Sequence, residues 1–227
     1  MNPSDSNSSA NGRPMNPNQP ADVAAVDRAI RERCTRKVLA GAGEGEQRDL
    51  FLRGLRESLE LAGMAPFHYP RSDAIPEPWR FHVFTGAALR HTHQQLADAD
   101  LLYGKLPRIF EHAGAVVLVT WLPETDASPK TEARNWEHAA ATAAATQNLL
   151  LATEARGIGS YWCSAPILAE APALKIWGAG LGEVALGEIF LGWPLSAADE
   201  AEMGWSGKMR KRRTAPDSGW CRWADLN

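Results

Sequence analysis

This chain of 227 residues carries few of the marks that announce a biochemical class. Cysteine is scarce: Cys34, Cys163 and Cys221 are odd in number, far apart and without C-x-x-C spacing, which argues against a disulfide framework and against a zinc or redox site of that kind. Free thiols in a reducing compartment are the expectation, and with them a cytoplasmic location. No stretch approaches eighteen apolar residues, so no membrane span is expected. The start lacks the charged region and apolar run of a secretory signal. Basic charge does not dominate either. The formal net charge is −3, so no global field draws the chain to nucleic acid or to an anionic membrane.

What is present is ordinary in amount: 44% hydrophobic and 22% charged residues, enough over this length to bury one sizeable core. Residues 1–20 are Ser, Asn and Pro with almost nothing to bury, and are expected to be a disordered tail. Residues 21–227 are expected to form a single domain. Helical spacing is read over 23–38 and over 48–64, with the Gly/Glu loop LAGAGEGEQ between them. Four prolines make 65–78 a long irregular loop. Strands are predicted at WRFHVF, at the continuous β-branched run AGAVVLVTW, at GSYWC and at EVALGEIFLGWP. Helices are predicted at 86–104, from the Ala/Thr-rich stretch to Arg156, and at 165–178. The remainder, 195–227, reads as irregular. On pattern alone, alternating strands and helices argue a layered α/β sheet, with parallel strands favoured.

Candidate chemistry is thin. GAGEGE lacks a strand before it, and Glu44 and Glu46 would repel a phosphate, so it reads as a flexible loop. His91 and His93 stand two apart on different faces of a helix, with no third ligand near, so no metal site is predicted. Cys163 has no acid or base partner in the adjacent sequence and reads as a semi-buried thiol. Two basic clusters remain, around Arg31 to Lys37 and from Lys208 to Arg213. The acidic balance and the absence of stacking aromatics among these charges speak against nucleic acid. A solvated surface, or a clamp for one small dianion, accounts for them. The helix HAAATAAATQ is rich in small residues, and close packing is the expected use of Ala139, Ala140, Ala143, Ala144 and Thr146.

Several segments, in order, resemble the FMN-dependent nitroreductase family. Arg33-Cys34-Thr35 resembles its R-R-S. EPWRFHVF, from Glu77, resembles its N-x-Q-P-W-x-F. The long Ala/Thr helix followed by G-x-G-S and a strand, EVALGEIFLGWP, and the basic Lys211-Arg212-Arg213 resemble the family's central helix, its A-x-x-x-L-G-x-P and its K-x-R. Arg134-Asn135-Trp136-Glu137 and Trp162-Cys163-Ser164-Ala165 are closest to the small YdjA-like branch. The resemblance covers roughly residues 26 to 220.

It implies an α+β fold, with a mixed, mostly antiparallel sheet flanked by helices as an α/β/α sandwich, in an intertwined homodimer packed through the long helix. It implies FMN as cofactor and NAD(P)H as donor. The reaction would be ping-pong hydride transfer through flavin N5 to a nitroaromatic, quinone or similar small-molecule acceptor. The cofactor would be held by Arg33, Cys34, Thr35, Glu77, Trp162, Cys163, Ser164, Lys211 and Arg213, with no catalytic side chain and no metal, because a flavin carries the chemistry itself. Backbone N–H groups from Trp162 to Ser164 would face the ring, and Gly157 and Gly159 would let the backbone run beneath it. Glu77, Ile75 and Cys163 depart from the family pattern. They motivate an alternative, a divergent flavin-binding or flavin-handling protein with little NAD(P)H turnover.

Overall fold

The computed structural model describes residues 21–203 and 212–222. The segment expected to be a disordered tail, residues 1–20, lies outside the described residues. The centre is β2 (Ala115–Trp121), whose run AVVLVTW is buried at six of seven positions. A strand apolar on both faces needs a partner on each edge and helices above and below. Its edges go to β1 (Trp79–Thr85) and β4 (Val184–Gly192), and β3 (Gly159–Cys163) completes the order β1-β2-β4-β3. All three neighbouring pairs are antiparallel.

That arrangement corrects the parallel sheet favoured by the strand–helix alternation. Between β1 and β2 stand two helices, α3 (Gly86–Asp98) and, further on, α4 (Leu106–Glu111). One helix carries the chain down the sheet and the second segment carries it back, so β2 starts at the end where β1 stopped. A single long helix, α5 (Thr131–Ala155), does make a parallel crossover from β2 to β3, but β4 is inserted between those two strands. The short α4 was missed because six residues give too little periodicity. A second missed helix, α7 (Ala197–Met203), lies in a stretch read as irregular.

Successive residues of β2 serve opposite layers. Val116 and Leu118 pack with Leu89, Phe110, Trp177 and Phe190, beneath α3, α4 and α6 (Ala171–Ile176). Val117 and Val119 pack with Phe51, Leu55, Leu149 and Ile189, beneath α5 and α2 (Gly45–Ala62). The remaining helix, α1 (Ala21–Glu32), lies against α5.

The composition of α5 follows from these neighbours. Ala141 and Ala145 are buried against Trp79, where a longer side chain has no room. Thr142, Thr146 and Thr153 are buried, and each hydroxyl donates to the carbonyl four residues back, at 2.8, 2.8 and 2.9 Å. This is how a buried hydroxyl on a helix is satisfied without a tertiary partner. Thr146 therefore packs inside its own chain. Trp136 and Ala140 are exposed, and Ala139 and Ala143 half-exposed, along the open side of the helix. Past the helix end, Gly157 takes φ +73°, as a left-handed cap does.

The LAGAGEGEQ segment is not the free loop its glycines led us to expect. Ala40 N–H donates to Trp193 O, Trp193 N–H to Gly41 O, and Gly41 N–H to His112 O. A Cβ on Gly114 would lie 2.6 Å from Ala42 N, so the loop presses directly on the sheet end.

Candidate functional site

The segment after α1 runs alongside the outer edge of β3. Thr35 bridges Ser160 in parallel, and Arg36 N–H donates to Ser160 O at 2.9 Å. Extended backbone alternates its side chains. The Arg36 guanidinium turns toward α5 and pairs with Glu154 at 2.9 Å. Burial alone would lower the Arg36 pKa, and the Glu154 carboxylate outweighs it, so the net shift is upward. Thr35 and Lys37 are left for the other side, where the Lys37 ammonium sits 5.3 Å from the centre of the Tyr161 ring.

Below Lys37 opens a pocket of about 260 Å³. Tyr161, Cys163 and Ser164 form one wall, and Tyr103 and Lys105, from the α3–α4 connection, form another. Cys163 is buried, its thiol pushed up chiefly by desolvation. The Tyr161 hydroxyl, the Ala165 N–H and the Lys37 charge oppose that shift. Burial also raises Tyr161. Behind Cys163, directly across the ladder, stands Glu188, with no solvent exposure and, among the described residues, no hydrogen-bond partner for either carboxylate oxygen. Desolvation pushes it up to about 8.

The close β3–β4 approach depends on Gly187. Its φ is +141°, and a Cβ there would sit 2.4 Å from Cys163 O and 2.8 Å from Trp162 Nε1. Gly159 has a different use from the one anticipated. A Cβ on it would meet Leu39 and Arg36 at 2.8 and 3.1 Å, so it admits the 36–39 segment at the end of β3 away from the pocket.

Of the residues predicted for the site, Cys163 and Ser164 line the pocket, and Thr35 stands two residues from Lys37 along its rim segment. Arg33 and Cys34 are half-buried just beyond α1. The Trp162 side chain points to the opposite face, against the Ile189 layer, leaving only its backbone on the pocket's strand. Glu77 is not near. It precedes β1, the edge opposite β3, about 14 Å across four strands at the usual ~4.8 Å spacing. Arg213 is exposed in the C-terminal segment, and Lys211 lies outside the described residues. Lys37, Tyr161 and Glu188 were missed as site residues. Alternation from Thr35 could have found Lys37, whereas nothing in LGEIFLG marks the acid as buried beside a pocket.

The Nitroreductase family matches residues 14–193. The chain belongs to the Nitroreductase family. Solved structures of Nitroreductase relatives share its fold. A nitroreductase-like family protein from Bacillus cereus is 20% identical, with a TM-score of 0.61 over 84% of this chain and 95% of that one. The FMN-dependent nitroreductase NfnB from Mycobacterium smegmatis, solved with NADPH, is 17% identical, with a TM-score of 0.64 over 89% and 99%. A nitroreductase family protein from Clostridium novyi is also 17% identical, with a TM-score of 0.56 over 76% and 87%. At these identities the similarity is one of fold. No curated protein matches the chain.

No helix among the described residues is long and apolar enough to cross a membrane. Among the same residues no cluster of His, Cys, Asp and Glu could hold a metal ion.

Proposed function

We propose that this Nitroreductase family member is an FMN-dependent NAD(P)H oxidoreductase. It would act as a cytoplasmic homodimer on a nitroaromatic, quinone or similar acceptor, with residues 21–227 as one flavin-binding domain. The observation that carries this reading is the gathering of Lys37, Tyr161, Cys163 and Ser164 around one pocket, beside the segment that holds Arg33 and Thr35.

The donor set fits a flavin nucleotide. At about 260 Å³ the pocket is near the lower bound of ligand sites, so one chain encloses a ring system and leaves the remainder to other residues. FMN, when bound, supplies the hydride transfer between nicotinamide and acceptor. The chain's own residues hold and tune it. Lys37 would offer a cation to the flavin, and Tyr161 holds that cation by its ring face. Backbone N–H groups past β3 would serve as donors to it. Arg33, Thr35, Lys211 and Arg213 would hold the phosphate, for which the planar fork of arginine suits two parallel bonds. Cys163, uncharged and buried, keeps the wall apolar.

The open side of α5, with Trp136, Ala139, Ala140 and Ala143, supports a helix-to-helix dimer contact. Anaerobic mixing of the yellow protein with NADPH is the test: bleaching of the flavin absorbance within seconds is expected. A colourless protein that takes up no added FMN would overturn the proposal. The position of Glu77, a carboxylate far from the pocket within one chain, favours the second reading, a flavin-handling protein with little turnover. Stable yellow colour under NADPH would select it.

A further inference from the structure

One rung of the sheet carries His82, Leu118, Glu188 and Cys163 across all four strands on a single face. His82 is occupied by Glu183, at 2.6 Å. Leu118 is apolar and fully buried. Among the described residues Glu188 has no exposure and no partner for either oxygen, and the only other unpartnered buried group in its core layer is the indole N–H of Trp177. A carboxylate left without donors in such a place is costly to ionise, and a buried unpaired polar group in a native fold calls for a reason.

The reason lies across the ladder. Glu188 stands opposite Cys163 in the β3–β4 register, and Cys163 and Lys37 line the same pocket. The thiol responds to both charges in opposite senses, Glu188 raising its pKa and Lys37 lowering it. An ionised Glu188 would therefore offset the cation at the pocket rim from behind the wall. We propose that Glu188 is a positioning residue of the pocket, which by staying protonated behind Cys163 keeps the Lys37 charge available to an anionic ring-and-phosphate ligand. The proposal rests on the flavin reading above and adds a proton linkage to it. Binding of the anion favours the neutral acid, so loss of that proton must weaken binding by the same factor.

The groups that face Glu188 leave this proton distinguishable. Tyr161 and Cys163 on β3 are both pushed above their ordinary values, and His82 lies beyond Leu118 in its pair with Glu183. On the helical side the same core layer holds Trp177 and Leu168, which do not titrate, and His93 is stacked on its Phe110. The FMN phosphate has its second pKa near ~6, so it is a constant dianion above neutrality.

The test titrates the full-length protein with FMN, following the quench of flavin fluorescence from pH 6.5 to 9.5. Wild type is expected to lose about tenfold in affinity between roughly pH 7 and 9, within the usual range of coupling between two sites. Glu188→Gln is expected to hold a flat profile. The same tenfold loss in Glu188→Gln, or none in wild type, overturns the proposal and leaves the flavin reading standing. Failure of wild type to bind FMN at any pH overturns both. Calorimetry of wild type at pH 8.5 in two buffers of different ionisation heat gives an answer independent of the variant. Net proton uptake on binding FMN is expected, and zero uptake refutes the linkage.

Discussion

Replacing Glu188 by Gln should make the protein without cofactor more stable at alkaline pH and leave it nearly unchanged in acid. The folded carboxyl titrates near about 8, against an ordinary carboxylate value of about 4.3 in the unfolded chain. Between those values the folded state binds the extra proton, so stability falls as pH rises and levels off above the folded value. At 1.36 kcal/mol per unit, the cost is about 1 kcal/mol at pH 5, about 4 at pH 7 and about 5 above pH 8.5. Below pH 4 it vanishes. Glutamine has the same shape and does not titrate, so it removes the pH-dependent part and keeps the unpaired polar atoms. Urea unfolding of both proteins at pH 5 and pH 8.5 measures the difference. Wild type should lose about 4 kcal/mol more than the variant over that interval. Parallel losses would show that Glu188 is ionised in the folded state, and the argument from its burial would fail.

Other substitutions probe the frame around the pocket. Gly187→Ala places a Cβ 2.4 Å from Cys163 O on a backbone with φ +141°, and is expected to cost more than about 3 kcal/mol or to prevent folding. Thermal melts and soluble yield will show it. Removing the arginine with Arg36→Met leaves the part-buried Glu154 unpaired, for a loss of about 3 kcal/mol by chemical unfolding. Glu154→Gln in the same background should recover part of that loss. Ala145→Leu overpacks the layer under Trp79 and should cost about 1–3 kcal/mol in stability. Ala143→Leu, on the open side of α5, should instead shift sedimentation toward the monomer with a smaller change in the melt. Equal sedimentation of Ala143→Leu and wild type would move the dimer contact elsewhere.

The sequence made the elements visible more readily than their arrangement. All four strands lie within a residue or two of their expected places, because AVVLVTW and EVALGEIFLG are runs that only a buried strand accommodates. Their direction was hidden. It depends on whether one helix or two intervene between strands, and the second helix, LPRIFE, is too short to show a period. The ordered resemblance supplied the mostly antiparallel sheet that the pattern did not. Cys163 and Ser164 were singled out by the resemblance just after the long helix and its glycines, and both line the pocket. Glu188 was not, since an acid within an apolar run reads as an exposed position until the strand order shows what covers it. Gly159 was seen as significant and given the wrong neighbour, because only the fold reveals that the 36–39 segment returns to that point.

The position of β4 also dictates an order of assembly. Among the described residues it is the last strand, yet it stands between β2 and β3, and β3 has no other strand there to pair with. As the polypeptide leaves the ribosome, β1 and β2 can close as a neighbouring pair. Cys163 and Tyr161, though already made, have no ladder to join until Gly192 has emerged. Pairings between distant parts of the chain are the slow ones to form. Any product ending before Val184 would present the β1–β2 pair with α5 packed on it and β3 left without its ladder. The pocket is thus among the last things this chain builds, and whatever it binds could not be held until synthesis is almost complete.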